Sequence, residues 1–126
     1  MSKTNLEGIR VVVIEDNEEN MRLFRAILKL EGVGEIYEAN LALPGIDLAC
    51  RHVPDLILMD IHMPEMDGFE ATRIILNNGN PNSKTPIFAL TADVTAESRD
   101  EYTPLFNGFL RKPIEIEKLY EAFVNG

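Results

Sequence analysis

The chain has 126 residues, 45% of them apolar and 26% charged, with a formal net charge of -9 at pH 7. That length holds one domain with a real core and not two ordinary ones, and the acidity argues against direct, non-specific nucleic-acid binding, which draws on Lys and Arg to neutralise phosphates. No apolar run approaches the roughly 18 residues of a membrane span, the opening Met1-Ser-Lys-Thr-Asn5 lacks the apolar stretch of a secretory signal, and Cys50 is the only cysteine. An internal disulfide is thereby ruled out, and a reducing compartment, the cytoplasm, fits best.

Arg10 to Ile14 reads as a first buried strand, ended by the turn-forming and capping residues Glu15-Asp16-Asn17. From Asn20 to Glu31, Met21, Phe24 and Leu28 recur at helical spacing, as do Leu23, Ile27 and Leu30; Gly32 closes that helix. Glu35 to Ala39 alternates like a second strand. Leu43 to His52 is a second helix, in which Pro44 fits only within the first turn. Leu56 to Met59 is a continuous apolar run, the pattern of a strand buried on both faces, and the strand leaves the core at Asp60. Met63 to Gly68 is a loop by its Pro and Gly, and Phe69 to Leu76 is a helix. A polar connection from Asn77 to Lys84 leads to a fourth strand, Pro86 to Leu90, ending at Thr91. Thr95 to Tyr102 reads as a short exposed helix stopped by Pro104. Gly108 to Arg111 is a fifth strand ending at Lys112-Pro113, and Glu115 to Phe123 is a final amphipathic helix.

Five strands alternating with helices predict an α/β fold of three layers, a parallel sheet covered by helices on both faces, because parallel strands need helical crossovers. In such sheets ligands bind beyond the carboxyl ends of the strands. Glu15 and Asp16, Asp60, Thr91 and Lys112 each follow or close a strand, so they are expected to converge on one edge. Three carboxylates in one place repel one another unless a cation relieves them, and hard oxygen donors favour Mg²⁺. Glu15, Asp16 and Asp60 are therefore the expected Mg²⁺ ligands. Taken singly, Glu15 and Asp16 would equally favour the first helix through its dipole, and Asp60 would serve as a cap. Thr91 and Lys112, a hydroxyl and a fixed positive charge, do not help a metal but suit a phosphoryl group. Asp60 beside them is a plausible carboxylate nucleophile that would form an aspartyl phosphate.

Four segments resemble the receiver domains of two-component response regulators: Val11-Val-Val-Ile-Glu-Asp-Asn17, Leu56-Ile-Leu-Met-Asp-Ile-His-Met-Pro-Glu-Met-Asp-Gly68, Ala89-Leu-Thr-Ala92 and Phe109-Leu-Arg-Lys-Pro113. Their order and spacing cover nearly the whole chain, so residues 1–126 are expected to form a single receiver domain with its core over about 8–125. The resemblance implies a flavodoxin-like sheet in the order 2-1-3-4-5 and a phosphoryl group passed to Asp60 from a phosphohistidine on a sensor histidine kinase or phosphotransfer protein. It implies Mg²⁺, with Mn²⁺ as a substitute, held by the side chains of Asp16 and Asp60 and the backbone carbonyl of His62, with Glu15 assisting. Thr91 and Lys112 would engage the phosphate, and Phe109 would occupy the aromatic switch position, a plain core phenylalanine being the alternative there. His62 and Asp93 stand where receivers tune dephosphorylation, and the Lys112-Pro113 bond where receivers have a cis peptide.

The resemblance also implies a downstream protein read by the face of the fourth helix, fifth strand and last helix, with no direct nucleic-acid contact and no membrane insertion. Because the chain stops just after its last helix, it is expected to act through protein contacts, as a free-standing regulator or as the receiver of a hybrid kinase. Two segments depart from the family pattern. Pro44-Gly45 is expected to delay or disturb the second helix, and Pro104-Leu105 to end the fourth early. An aspartyl-phosphate phosphatase of the haloacid-dehalogenase type would need an Asp where His62 stands. A flavodoxin-like cofactor module would set a phosphate against Glu15 and Asp16, which repel it. A pseudo-receiver that is never phosphorylated would not need all five site residues.

Overall fold

The computed structural model describes residues 6–77, 84–91, 105–112, 114–115, 117–119 and 121. Five strands run in parallel as one sheet in the order β2-β1-β3-β4-β5. They are β1 (Arg10–Ile14), β2 (Glu35–Ala39), β3 (Leu56–Asp60), β4 (Ile87–Thr91) and β5 (Gly108–Arg111), and they are interleaved with α1 (Glu18–Leu30), α2 (Ala42–His52) and α3 (Gly68–Leu76). The expected strand order is thus the observed one. Residues 117–119 and 121 are helical, within the span expected for the last helix. The expected helix over 95–102, Pro104, Asp93 and Pro113 lie outside the described residues.

The sheet is covered on both faces because its strands alternate between two cores, side chains on a strand pointing to opposite faces in turn. Val12, Ile14, Ile57, Met59, Ile87 and Ala89 meet Ala42, Ile46 and Ala49 of α2 and Ala71 and Ile75 of α3. Val11, Val13, Leu56, Leu58, Phe88 and Leu90 meet Met21, Phe24 and Leu28 of α1, together with Ile114 and Leu119. Leu6, ahead of the first strand, is fully buried in this second core.

Local chemistry sets the helix ends. α1 begins three residues before its first apolar position because the Asn17 side chain accepts the Asn20 N–H, an N-cap that satisfies an otherwise orphaned donor. It closes with a Schellman pair, Gly32 N–H to the Lys29 carbonyl and Val33 N–H to that of Leu28, the two-bond cap described for helix C-termini. Arg25 then ties α1 to β2 through a forked contact with Glu38.

The expected delay in α2 does not occur: the helix runs unbroken from Ala42 to His52. Pro44 is its third residue, where the missing N–H would have no helical partner in any case. Gly45 lets the helix lie close on the sheet, since a Cβ there would stand 2.5 Å from the Ile14 side chain.

Candidate functional site

Parallel pairing brings the carboxyl ends of β1, β3, β4 and β5 side by side. Ile14 is in register with Met59, Asp60 with Leu90, and Thr91 with Arg111, so the residues at and after those ends form one cluster. Asp60 closes β3 almost wholly buried, at 1% exposure, and Glu15 is equally buried just past β1. Asp16 is exposed. Each of these three offers a carboxylate oxygen, and the three oxygens lie within 4.8 Å of one another. Among the described residues no histidine or cysteine joins the group, and the His62 side chain is exposed.

Lys112 reaches into the cluster from the end of β5. Its Nζ lies 2.8 Å from Glu15 Oε1 and 3.0 Å from Asp60 Oδ2, and its N–H donates to the Thr91 carbonyl at 2.9 Å. One ammonium therefore serves two buried carboxylates. The Glu15 Oε1 contact is an ion pair without an aligned hydrogen bond, while the other carboxylate oxygen of Glu15 accepts the Asn17 N–H at 3.0 Å. Asp60 Oδ1 accepts the His62 N–H at 3.0 Å. Thr91, at the end of β4, is 1% exposed and stands one residue beyond the register partner of Asp60.

The electrostatic balance is uneven. Burial pushes the Asp60 carboxyl up to about 7 from its ordinary 3.8; the His62 N–H opposes the rise, the Glu15 charge adds to it and Lys112 opposes it. For Lys112, burial is the largest influence and pulls its pKa down, but the close contact with Glu15 and the charge of Asp60 together hold it above the ordinary 10.5. The lysine is accordingly charged at neutral pH, and the carboxylates outnumber it. An all-oxygen donor set of three acids, one of which burial and a neighbouring carboxylate make costly to ionise, is the kind of site that a hard divalent cation relieves. Glu15, Asp16 and Asp60 are the side chains that could hold it.

Several positioning residues were not singled out by sequence pattern. Gly68 begins α3 against the backbone of the acid: a Cβ there would stand 2.6 Å from the Asp60 carbonyl oxygen and 2.7 Å from the Ile61 Cα. Asp67 caps the same helix by accepting the Glu70 N–H. The Asp-Gly pair at 67–68 carried that signal as an N-cap followed by the smallest residue. Asn107 clamps the start of β4, its side chain accepting from the Ile87 N–H and its own N–H donating to the Ile87 carbonyl; no local motif announces this contact between residues distant in sequence. Phe109 is half-buried at the edge of the α2–α3 core. It meets Phe106 edge to face at 5.6 Å, and Phe106 meets Phe69 of α3 in the same way at 5.5 Å. Asp93 and the Lys112-Pro113 peptide bond fall outside the described residues.

Comparison with known proteins agrees with this geometry. The family of response regulator receiver domains matches residues 11–124. The polar-differentiation response regulator DivK of Brucella anthropi is 39% identical over 115 residues, covering 89% of this chain and 90% of that protein. Histidine kinase 3 of Arabidopsis thaliana is 35% identical over 136 residues, which span 91% of this chain but 13% of the kinase. Among solved structures, the receiver domain of an Arabidopsis thaliana histidine kinase complexed with Mg²⁺ superposes with a TM-score of 0.83 at 28% identity, over 98% of this chain and 95% of that one. No helix among the described residues is long and apolar enough to cross a membrane. The acidic cluster, the lysine that bridges it and the parallel sheet that presents both thus belong to a response regulator receiver domain, a phosphorylation-dependent signalling module of two-component systems.

Proposed function

We propose that Asp60 is the residue phosphorylated in this receiver, taking a phosphoryl group from a phosphohistidine on a histidine kinase or phosphotransfer protein. The observation that carries the reading is the placement of Asp60 Oδ2 at 3.0 Å from the Lys112 ammonium, in a cluster with the two other acids. A carboxylate oxygen of Asp60 attacks phosphorus, the new P–O bond forms as the P–N bond to the donor imidazole breaks, and the imidazole leaves with a proton from solvent. Lys112, already charged, stays beside the oxygens that gain negative charge, so no side chain must reorganise to supply that charge. His62 holds Asp60 through its backbone N–H, which fixes the direction of the carboxylate.

Glu15, Asp16 and Asp60 would hold Mg²⁺, or Mn²⁺ in its place, with the His62 carbonyl as a further oxygen, and the bound ion supplies positive charge against the carboxylates and the phosphoryl oxygens. Thr91 would donate its hydroxyl to the phosphoryl group, and Phe109 would then repack against Phe106, carrying the change to the downstream partner's face around β5. The phosphoryl group adds nearly two negative charges, the driving force for such a two-state rearrangement. His62 and Asp93 would set water access to the acyl phosphate. The test is incubation with a small acyl-phosphate donor and Mg²⁺, followed by intact-mass measurement. One added phosphoryl group, lost in the presence of a chelator and in Asp16→Ala, is expected; no adduct under conditions that trap acyl phosphates contradicts the reading.

A further inference from the structure

An open groove of about 380 Å³ lies between the first turn of α2 and the loop that follows β3. Leu41, Leu43 and Pro44 line one wall, and Pro64, Glu65 and Met66 the other. Leu43 is 65% exposed, a degree of exposure that leaves most of a large apolar side chain in water. Among the described residues Glu65 is the one charged side chain in the lining, and its backbone is held at φ 69, a left-handed conformation that residues other than glycine rarely adopt and that gathers at functional segments.

Among the described residues, the charge in the groove's lining is acidic. Pro44 also borders a second groove, lined by Glu18, Met21, Glu38, Ala39 and Asn40, and among the described residues neither lining contains Lys or Arg. Glu38 is neutralised by Arg25, whereas Glu18 has only a loose, exposed contact with Arg22 at 3.9 Å. The walls of the first groove come from a helix start and a loop and include no strand residue, and their apolar side chains suit the mode in which an amphipathic helix lays its apolar face in a groove.

We infer that this groove is a docking surface for an amphipathic helix of a partner protein, one whose apolar side chains seat against Leu43, Pro44 and Met66 and whose flanking Lys or Arg residues face Glu65 and Glu18. The surface lies at the α2 side of the sheet's carboxyl edge, away from β5, so it can be occupied together with the face around Phe109.

The probe is a synthetic helical peptide with Leu at i, i+3, i+4 and i+7 and Lys elsewhere, with a control in which Glu replaces Lys, titrated into the ¹⁵N-labelled full chain. The expected result is that the Lys peptide alone shifts amide resonances of residues 41–44 and 64–66, and that added salt weakens it. Leu43→Glu should reduce affinity about tenfold or more, as loss of one leucine's burial implies, and Glu65→Lys should transfer preference toward the Glu peptide. Both positions are exposed, so neither change threatens the fold. No binding, shifts centred on residues 108–118 instead, or affinity indifferent to both substitutions would overturn the inference. No phosphoryl donor is used, so the outcome is separate from that of the Asp60 assignment.

Discussion

Asp60→Asn isolates the electrostatics of the site without any phosphoryl chemistry. In the wild type, burial raises the carboxyl from 3.8 to about 7, so between those values the folded chain keeps a proton that the unfolded chain has released. The sign follows directly: the folded state binds more protons, and its stability falls as pH rises from about 4 to about 7, then levels off. At roughly 1.4 kcal/mol per pH unit the full difference is about 4 kcal/mol, and because Lys112 and Glu15 share the site the measured figure is expected at about 2–4 kcal/mol. Asn cannot ionise, and whatever its amide costs beside Lys112 is constant with pH. The assay is urea denaturation of both proteins in chelator from pH 4 to pH 8. The stability of Asp60→Asn relative to wild type should climb by that amount across the range, and added Mg²⁺ at pH 8 should raise the wild type more than the variant. A difference that stays flat with pH would refute the reasoning.

Three further outcomes are expected. Lys112→Ala leaves Glu15 and Asp60 buried without their shared counter-charge and should cost about 3–5 kcal/mol at neutral pH by urea denaturation, less at pH 5 where Asp60 holds its proton. Gly68→Ala places a methyl 2.6 Å from the Asp60 carbonyl oxygen; the backbone must shift, at about 1–3 kcal/mol, and the rate of Asp60 phosphorylation from a small donor should fall with it. Phe109→Ala removes an edge-to-face contact from a half-buried ring. It should cost about 2 kcal/mol or less and leave phosphorylation intact, while affinity for a phosphate-dependent partner, measured by calorimetry, drops.

The sheet was legible because its strands are buried on both faces. Leu56 to Met59 and Ile87 to Leu90 have no polar residue to interrupt them, and in a parallel sheet that pattern has few other readings. Once strands alternate with helices, topology alone sends their carboxyl ends to one edge, which is why Glu15, Asp60, Thr91 and Lys112 could be grouped before any contact was seen. The start of α1 was legible only to within two residues, since apolar spacing marks the buried face and the cap at Asn17 decides where the helix begins. Pro44-Gly45 misled because, even with Pro44 placed in the first turn, propensity counts the pair against a helix start; at the third position the proline costs little, and the glycine answers a tertiary demand, the closeness of Ile14. Partners distant in sequence were not legible either. That one lysine reaches both Glu15 and Asp60, that Asn107 clamps Ile87, and that Phe69, Phe106 and Phe109 form a chain of rings are consequences of three-dimensional packing without a local pattern. The groove beside Leu43 depends likewise on a loop and a helix start that only the fold brings together.

The central claim, that Asp60 is the phosphorylated residue, is tested most directly by locating the phosphoryl group. After reaction with an acyl-phosphate donor and Mg²⁺, borohydride reduction converts a phosphorylated aspartate to homoserine, and peptide mapping by mass spectrometry finds where it lies. Homoserine at position 60, absent from Asp60→Asn and from protein without donor, is the result expected; homoserine at Asp16 or elsewhere, or none anywhere in a chain that carries the adduct, would contradict the account.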